Sequence, residues 1–356
     1  MGREKSFLEG VGMKVLVTGN NGYIGNVMCP MLLAEGFDVV GLDSNYFQDC
    51  EFEKPKSKVK QIVKDIRDVE LADFEGIDAV IHLAGLSNDP IGELNPGITE
   101  KINLNASVRC AELAKRSGVA RFVFASSCSV YGIAEEGKAI DETGKLNPVT
   151  AYAKSKIGTE QGVSPLADAD FSPVFMRNAT VYGASPMLRL DLVVNNLTAS
   201  GFVYGKIKVM SDGSPWRPLI HIQDFSRAFI AALKAPKELI HNQVFNVGQN
   251  SENYQVRDLA AAVEKVVPGC SVEYTGEHGG DSRTYKVDFT KINTVLKDYF
   301  RPTWNVQKGV EELYAAFKRN KLDLKAFNGD KFIRLKHLDL LKKEGKLDND
   351  FYWVKS

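Results

Sequence analysis

Between residues 14 and 178, short β-branched apolar runs alternate with longer stretches of helical periodicity. KVLVTG (14–19), FDVVGLD (37–43), KQIVKD (60–65), DAVIHLAG (78–85), RFVFASS (121–127) and PVFMRN (173–178) read as strands. None shows strict apolar/polar alternation, as expected of strands buried on both faces. Helices are predicted over 22–35, 99–117 and 150–163, with Pro30 expected to kink or shorten the first. Strands alternating with crossover helices define an α/β chain with a doubly wound parallel sheet. Past residue 179 the rhythm loosens. A helix over 222–234, a strand at 243–248, a helix over 255–266, strands at 271–275 and 283–289, and helices near 290–298 and 306–319 imply a second, less regular lobe. In the tail, Phe332, Leu335, Leu338 and Leu341 recur every three residues. They predict a helix packed on the body or on another subunit.

Composition narrows the partners. The 356 residues carry 45 Lys+Arg against 45 Asp+Glu, so neither nucleic acid nor a membrane surface is expected as a partner. Hydrophobic residues make up 44% and charged residues 25%, enough for a sizeable core and against disorder. The five cysteines (Cys29, Cys50, Cys110, Cys128, Cys270) form no CxxC pair and have no histidine at ligand spacing, so neither a disulfide scaffold nor a metal site is expected. With no run of 18 apolar residues and no leader-like apolar segment after the first residues, a cytoplasmic protein is expected.

The candidate chemistry begins at VTGNNGYIG (17–25), where Gly19, Gly22 and Gly25 follow a predicted strand and open a predicted helix. A dinucleotide needs such a turn: one glycine to bend, one to let the pyrophosphate reach backbone amides, one for close helix–strand packing. Asp43 ends the second strand, 18 residues beyond Gly25. A carboxylate there accepts from both adenosine ribose hydroxyls and repels a 2′-phosphate, which predicts NAD rather than NADP. Tyr152 and Lys156 stand in YxxxK spacing within TAYAKSK. On a helix they share one face, so the ammonium can lie beside the phenol. A phenol of pKa about 10 must be favoured as phenolate by roughly 4 kcal/mol to titrate near neutrality, which a close cation can supply.

The GxxGxxG spacing, the YxxxK pair and the run FVFASSCSVYG (122–132) together resemble the extended short-chain dehydrogenase/reductase superfamily in its nucleotide-sugar epimerase/dehydratase branch, over about residues 14–318. The resemblance implies a Rossmann-type domain over 13–178, with 219–249 returning to it, and a nucleotide-sugar lobe from 179–218 and 250–320. A helical tail covers 321–356. It implies that Tyr23 and Ile24 of the glycine turn, Asp65 and Ile66 beside the adenine, Leu83, Ala84 and Gly85 along the phosphates, and Asn103 near the middle of the cofactor bind NAD. Lys156 would reach the cofactor ribose. Ser127, with Ser126 as the alternative register, would hydrogen-bond the reacting sugar oxygen, and Tyr152 would act as its acid/base. Cys128 and Ser129 stand where the dehydratases of this branch carry Asp-Glu, which disfavours dehydration. Asn178, Asn196, Arg217 and Arg283 would meet the nucleoside-diphosphate sugar, and Tyr182 would lie near the nicotinamide. His82, His221 and Asp224 are read as structural. The implied reaction is C4 epimerisation through a transient keto-sugar with NAD recycled in the site. NAD-linked oxidation or reduction is the alternative, with dehydration behind it. A homodimer through 99–117 and 150–163 is also implied.

Overall fold

The structure, a computed structural model, describes residues 12–55, 58–87, 90, 95–132, 138–276 and 284–354. Its centre is a seven-stranded sheet of β1 (Lys14–Thr18), β2 (Asp38–Asp43), β3 (Lys60–Val63), β4 (Ala79–His82), β5 (Arg121–Ser127), β6 (Ser172–Asn178) and β7 (Gln243–Val247). The spatial order is β7-β6-β5-β4-β1-β2-β3 and every neighbouring pair is parallel. Strand order therefore reverses between β1 and β4, the crevice where open α/β sheets take their ligands. The sheet matches the expected doubly wound, Rossmann-type architecture.

Alternate strand residues feed two cores. Val15 and Val17 point into a cluster with Met28 and Leu32 of α1 (Gly25–Ala34) and Phe225 and Phe229 of α5 (Ile222–Lys234). Leu16, Phe122 and Phe124 face the other way. There they meet Cys110 and Leu113 of α2 (Ala106–Arg116) and Val163 of α3 (Ala151–Val163). Burial on both faces is why the strands do not alternate in sequence. A third cluster holds the second lobe, joining Val194 and Leu197 of α4 (Val193–Tyr204), Leu259 and Val263 of α6 (Val256–Val266), and Val310 and Leu313 of α7 (Val306–Arg319).

Several boundaries differ from the sequence reading. The first helix starts at Gly25, three residues late, because residues 19–24 are spent on the turn; Pro30 sits inside it without ending it. The segment read as one helix over 99–117 is a short helix Pro96–Thr99, a π-helical stretch Glu100–Asn105 and then α2. Apolar spacing does not distinguish i→i+5 from i→i+4 bonding, and π segments recur at functional sites. The strand expected at 283–289 shrinks to Lys286–Val287, paired with Ala139–Ile140. The tail helix α8 (Arg334–Lys343) packs on the body: Leu338, Leu341 and Phe351 are buried in the α2–α3 core, and Phe332 belongs to the second lobe's cluster.

Candidate active site

A cavity of about 520 Å³ opens at the carboxyl ends of β1, β2, β4, β5 and β6 and is closed on its far side by the second lobe. Its first wall is the turn after β1. Gly19 has φ +74°, and a Cβ there would lie 2.9 Å from the Ala84 nitrogen. The turn thus needs both a left-handed residue and the absence of a side chain. At Gly25 a Cβ would come within 2.3 Å of the Asn20 oxygen, so the helix can close onto the turn only as glycine. Gly22, Tyr23, Ile24, Leu83, Ala84 and Gly85 all line the cavity, whereas Gly25 works behind it.

Asp43 also lines this wall. Its carboxylate accepts from the backbone amides of Asn21 (3.0 Å) and Asn45 (2.8 Å). Burial raises its pKa, opposed by those two amides and by the charge of Arg334. Asp65 and Ile66 lie along the same end. Burial works against the Asp65 charge, but the Arg67 ion pair (2.7 Å) and Arg67 amide overcome it and hold the carboxyl below the usual range. His82, at the end of β4, is committed internally: Nδ1 is 2.8 Å from Thr18 Oγ1 and Nε2 is 2.8 Å from Ser107 Oγ. Burial and the nearby Lys156 push its pKa down to about 3.

The second wall holds the candidate catalytic residues. Thr150 caps α3 by accepting from the Ala153 amide at 3.1 Å, which sets the helix phase. Tyr152 and Lys156 then share the face turned into the cavity, with Lys156 Nζ 5.5 Å from the Tyr152 ring centre. Lys156 donates to the Ala125 carbonyl at 2.7 Å. Burial lowers its pKa to about 8, the charge of Glu160 opposing. Ser126 and Ser127 both reach the cavity, but Ser126 Oγ donates to Glu160 Oε1 at 2.5 Å within a buried network in which Arg177 pairs with Glu160 at 2.7 Å. Among the described residues, the hydrogen bond of Ser127 Oγ is one it accepts, from the Ser129 amide at 3.1 Å. Of the two serines, Ser126 is thus tied into the Glu160 network and Ser127 is not. Cys128 is buried with Sγ toward the Arg177 carbonyl, and burial pushes its pKa well up, unlike a nucleophilic thiol.

The expected substrate residues divide. Asn178 and Arg217 line the cavity. Asn178 Nδ2 donates to the Ser126 and Met176 carbonyls (both 2.8 Å), while its Oδ1 and the Ser129 Oγ are buried without a partner among the described residues. Such orphans cost about 1–3 kcal/mol unless something binds them. Asn196 does not reach the cavity: its amide donates to the Leu190 carbonyl at 2.9 Å, closing the start of α4. Asn103 also stays outside it. Its amide spans the backbone of Leu86 in both directions (2.8 and 3.0 Å), so it fixes the 83–86 loop from behind. Tyr182 turns away as well, against His221 and Gly309 in the second lobe. Arg283 lies outside the described residues.

Two arginines that the sequence reading passed over also line the cavity. Arg189 is clamped by Asp191 through both carboxylate oxygens (2.9 Å each) and reaches Ser87. Arg334 comes from the first turn of α8. The signals were present in sequence: a charged pair inside the apolar run MLRLDLVV, and an arginine four residues before Leu338 on the tail's apolar face. No group of His, Cys, Asp and Glu able to hold a metal occurs among the described residues, and none of the described helices is long and apolar enough to cross a membrane.

A parallel sheet with a glycine turn at its switch point, an acidic end to β2 and a Tyr-Lys pair on the opposite wall defines a dinucleotide-dependent enzyme site. The chain belongs to the NAD dependent epimerase/dehydratase family, whose model matches residues 15–248. It is 30% identical over 337 residues to UDP-glucose 4-epimerase of Bacillus subtilis (strain 168), covering 85% of this chain and 95% of that protein. It is also 30% identical to the Mus musculus UDP-glucose 4-epimerase, covering 84% and 94%. Among solved structures, MoeE5 in complex with UDP-glucose and NAD superposes with a TM-score of 0.74 at 26% identity, covering 87% of this chain and all of that one. UDP-glucuronic acid 4-epimerase from Bacillus cereus, in complex with UDP-glucuronic acid and NAD, gives 0.73 at 25%, covering 86% and 99%. The cofactor is NAD, and the glycine turn with the Asp43 carboxylate is a donor and acceptor set that fits it.

Proposed function

We propose that the chain is a nucleotide-sugar 4-epimerase acting on a UDP-sugar, and that its catalytic residues are Tyr152, Lys156 and Ser127. The observation that carries this reading is that one cavity brings the Tyr152–Lys156 face and the Ser127 hydroxyl, whose oxygen accepts from the Ser129 amide and whose O–H can donate, together with the glycine turn, while the positions after Ser127 hold no acid. Bound NAD supplies a reversible two-electron oxidation of the sugar. Tyr152 takes the C4 hydroxyl proton and later returns it. Lys156, a buried cation on the same helix face, favours the phenolate. Ser127 hydrogen-bonds the reacting oxygen and holds it toward Tyr152. Inversion requires the transient 4-keto sugar to turn over, so the anchoring falls to the nucleotide: Arg217 on its diphosphate, with Asn178 at the sugar.

On the cofactor side, Gly19 to Ile24 and Leu83 to Gly85 would lie along the dinucleotide, with Asp43, Asp65 and Ile66 at its adenosine end. Asn103 would act by positioning the 83–86 loop. Residues 179–218 and 250–320 would form the sugar-nucleotide lobe. A cytoplasmic homodimer through α2 and α3, serving carbohydrate biosynthesis, is the expected setting; light scattering of the purified chain checks the assembly.

The test uses full-length protein with UDP-, GDP-, CDP- and dTDP-sugars and no added cofactor, followed by proton NMR. Inversion at C4 of a UDP-sugar with no net absorbance change at 340 nm is the expected result. Stoichiometric accumulation of NADH, or a dehydrated product, overturns the epimerase reading.

A further inference from the structure

Arg334 is 2% exposed, lines the cavity, and has a buried Nη1 with no partner among the described residues. Its other terminal nitrogen donates to the Met187 carbonyl at 2.9 Å, and the guanidinium lies 4.2 Å over the Phe47 ring. Among the described residues, no hydrogen bond is made by Nη1. A guanidinium taken out of water with one unmet donor is costly unless an anion meets it.

The surroundings say which end of the cavity this is. The charge of Arg334 acts on Asp43, and Phe47 beneath it lies four residues after Asp43. The tail that carries Arg334 grips both loops at this end. Behind β2, Trp353 Nε1 donates to the Ser44 carbonyl at 2.6 Å and His337 Nε2 is 3.0 Å from the Tyr46 carbonyl. Behind β3, Arg67 donates to the Asp350 carbonyl at 2.6 Å and stacks 3.6 Å over Tyr352. The Tyr46 hydroxyl bridges the two loops and the tail, within reach of Asp65 Oδ2 (2.9 Å) and the Phe351 carbonyl (2.6 Å).

We propose that the C-terminal tail is a working part of the dinucleotide site: it straps the adenosine end shut and presents Arg334 Nη1 to the diphosphate of the dinucleotide. The inference rests on the cofactor placement proposed above. The diphosphate is the anionic part of the ligand nearest Asp43's end, and a buried guanidinium forms short, charge-assisted bonds to it. The second consequence is kinetic. Because the tail holds the Ser44–Phe47 and Asp65–Arg67 loops together, NAD leaves only after those clamps loosen. That suits a reaction in which NAD is recycled without exchange.

The deciding experiment measures cofactor rather than turnover. Full-length wild type, Arg334→Gln, Arg334→Lys and Asp43→Ala are compared for NAD retained per chain after purification, NAD dissociation constant, and UDP dissociation constant. Arg334→Gln is expected to weaken NAD about tenfold or more, with UDP changed less than about twofold and Arg334→Lys recovering part of the loss. An unchanged NAD constant in Arg334→Gln, with Asp43→Ala weakened, overturns the strap alone. No weakening in either variant removes the cofactor placement too. A loss of UDP binding as large as that of NAD assigns the guanidinium to the sugar nucleotide and overturns the proposal. Should Arg334→Gln fail to fold, Trp353→Phe decides: it removes the Ser44 clamp without entering the cavity and should release NAD several-fold faster. An unchanged release rate overturns the strap.

Discussion

On the sheet side of the cavity, the inward-facing groups come from short segments at the ends of β1, β2, β4 and β5 and from one face of α3. They are placed by backbone: glycines that admit close approach, strand ends fixed by the parallel ladder, and a capped helix. On the opposite side, Arg189 arrives from irregular chain, Arg217 from the strand Trp216–His221 and Arg334 from the tail helix α8. There the placement is by side-chain clamps, such as the Asp191 fork on Arg189 or the Met187 carbonyl under Arg334. The sheet side is suited to chemistry, which tolerates little displacement, and the arginine side to grip, which can be shared among several cations.

Substitutions that separate these walls should differ in kind as well as size. Tyr152→Phe removes the proposed proton-transfer hydroxyl while leaving the ring in the cavity wall. Turnover of a UDP-sugar should fall by about 10²–10⁴ while NAD is retained at purification. Loss of NAD in step with loss of turnover would mean that Tyr152 acts through binding, and the division of labour fails.

The rigidity of the same wall depends on the Glu160–Arg177 pair and its bond to Ser126. Glu160→Gln leaves the Arg177 guanidinium buried and uncompensated, a loss of about 3 kcal/mol or more in urea unfolding. A surface pair such as Lys101–Asp350 provides the contrast: Asp350→Asn should leave the urea midpoint nearly unchanged.

Lys156 adds a pH signature. Its folded pKa is depressed to about 8 by burial, below the 10.5 of a free lysine. The unfolded chain therefore binds more protons between those values, and the lysine's contribution to stability rises with pH across that window, by up to roughly 3 kcal/mol. Wild type minus Lys156→Met, unfolded in urea at successive pH values from 7 to 10.5, should show that rise. A flat difference would place the ammonium in water.

How far each wall could be read in advance follows the same split. Gly19, Asp43, Tyr152 and Lys156 stand in fixed local spacings because strand–turn–helix geometry and a helical i,i+4 face demand them, so sequence locates them. The parallel sheet was legible for the same reason: buried strands leave continuous apolar runs. Asn196 and Tyr182 were misplaced because each sits on an element of the second lobe, α4 and the short strand Thr180–Tyr182, whose docking local spacing does not fix. A side chain there turns to whichever carbonyl or ring is near, Leu190 for one and His221 for the other. Asn103 sits on a π-helical stretch that shifts the phase of its helix, which apolar spacing cannot report. Arg334 was hidden differently. It occupies an apolar helical position in the tail, beyond the residues 14–318 over which the chain resembles its superfamily, and its meaning appears only when the tail is seen against the loops after β2 and β3.

The effect most specific to the sheet side's outer edge is a change in cofactor preference. Asp43 is held by two backbone amides, so its carboxylate cannot swing away from whatever lies against it. A ribose 2′-hydroxyl can donate to it; a 2′-phosphate meets a fixed negative charge. Asp43→Ser should therefore weaken NAD by about tenfold while leaving NADP little changed, so that the preference narrows, as titration of both cofactors would reveal. Burial raises the Asp43 pKa, which gives the argument a sign in pH. As pH falls toward that raised value the carboxylate protonates, its repulsion of a 2′-phosphate fades, and the wild-type preference for NAD should shrink. In Asp43→Ser it should not move with Asp43's titration, and a variant whose preference still tracked the wild-type curve would show that the discrimination lies in another group, with Arg334 the first to substitute.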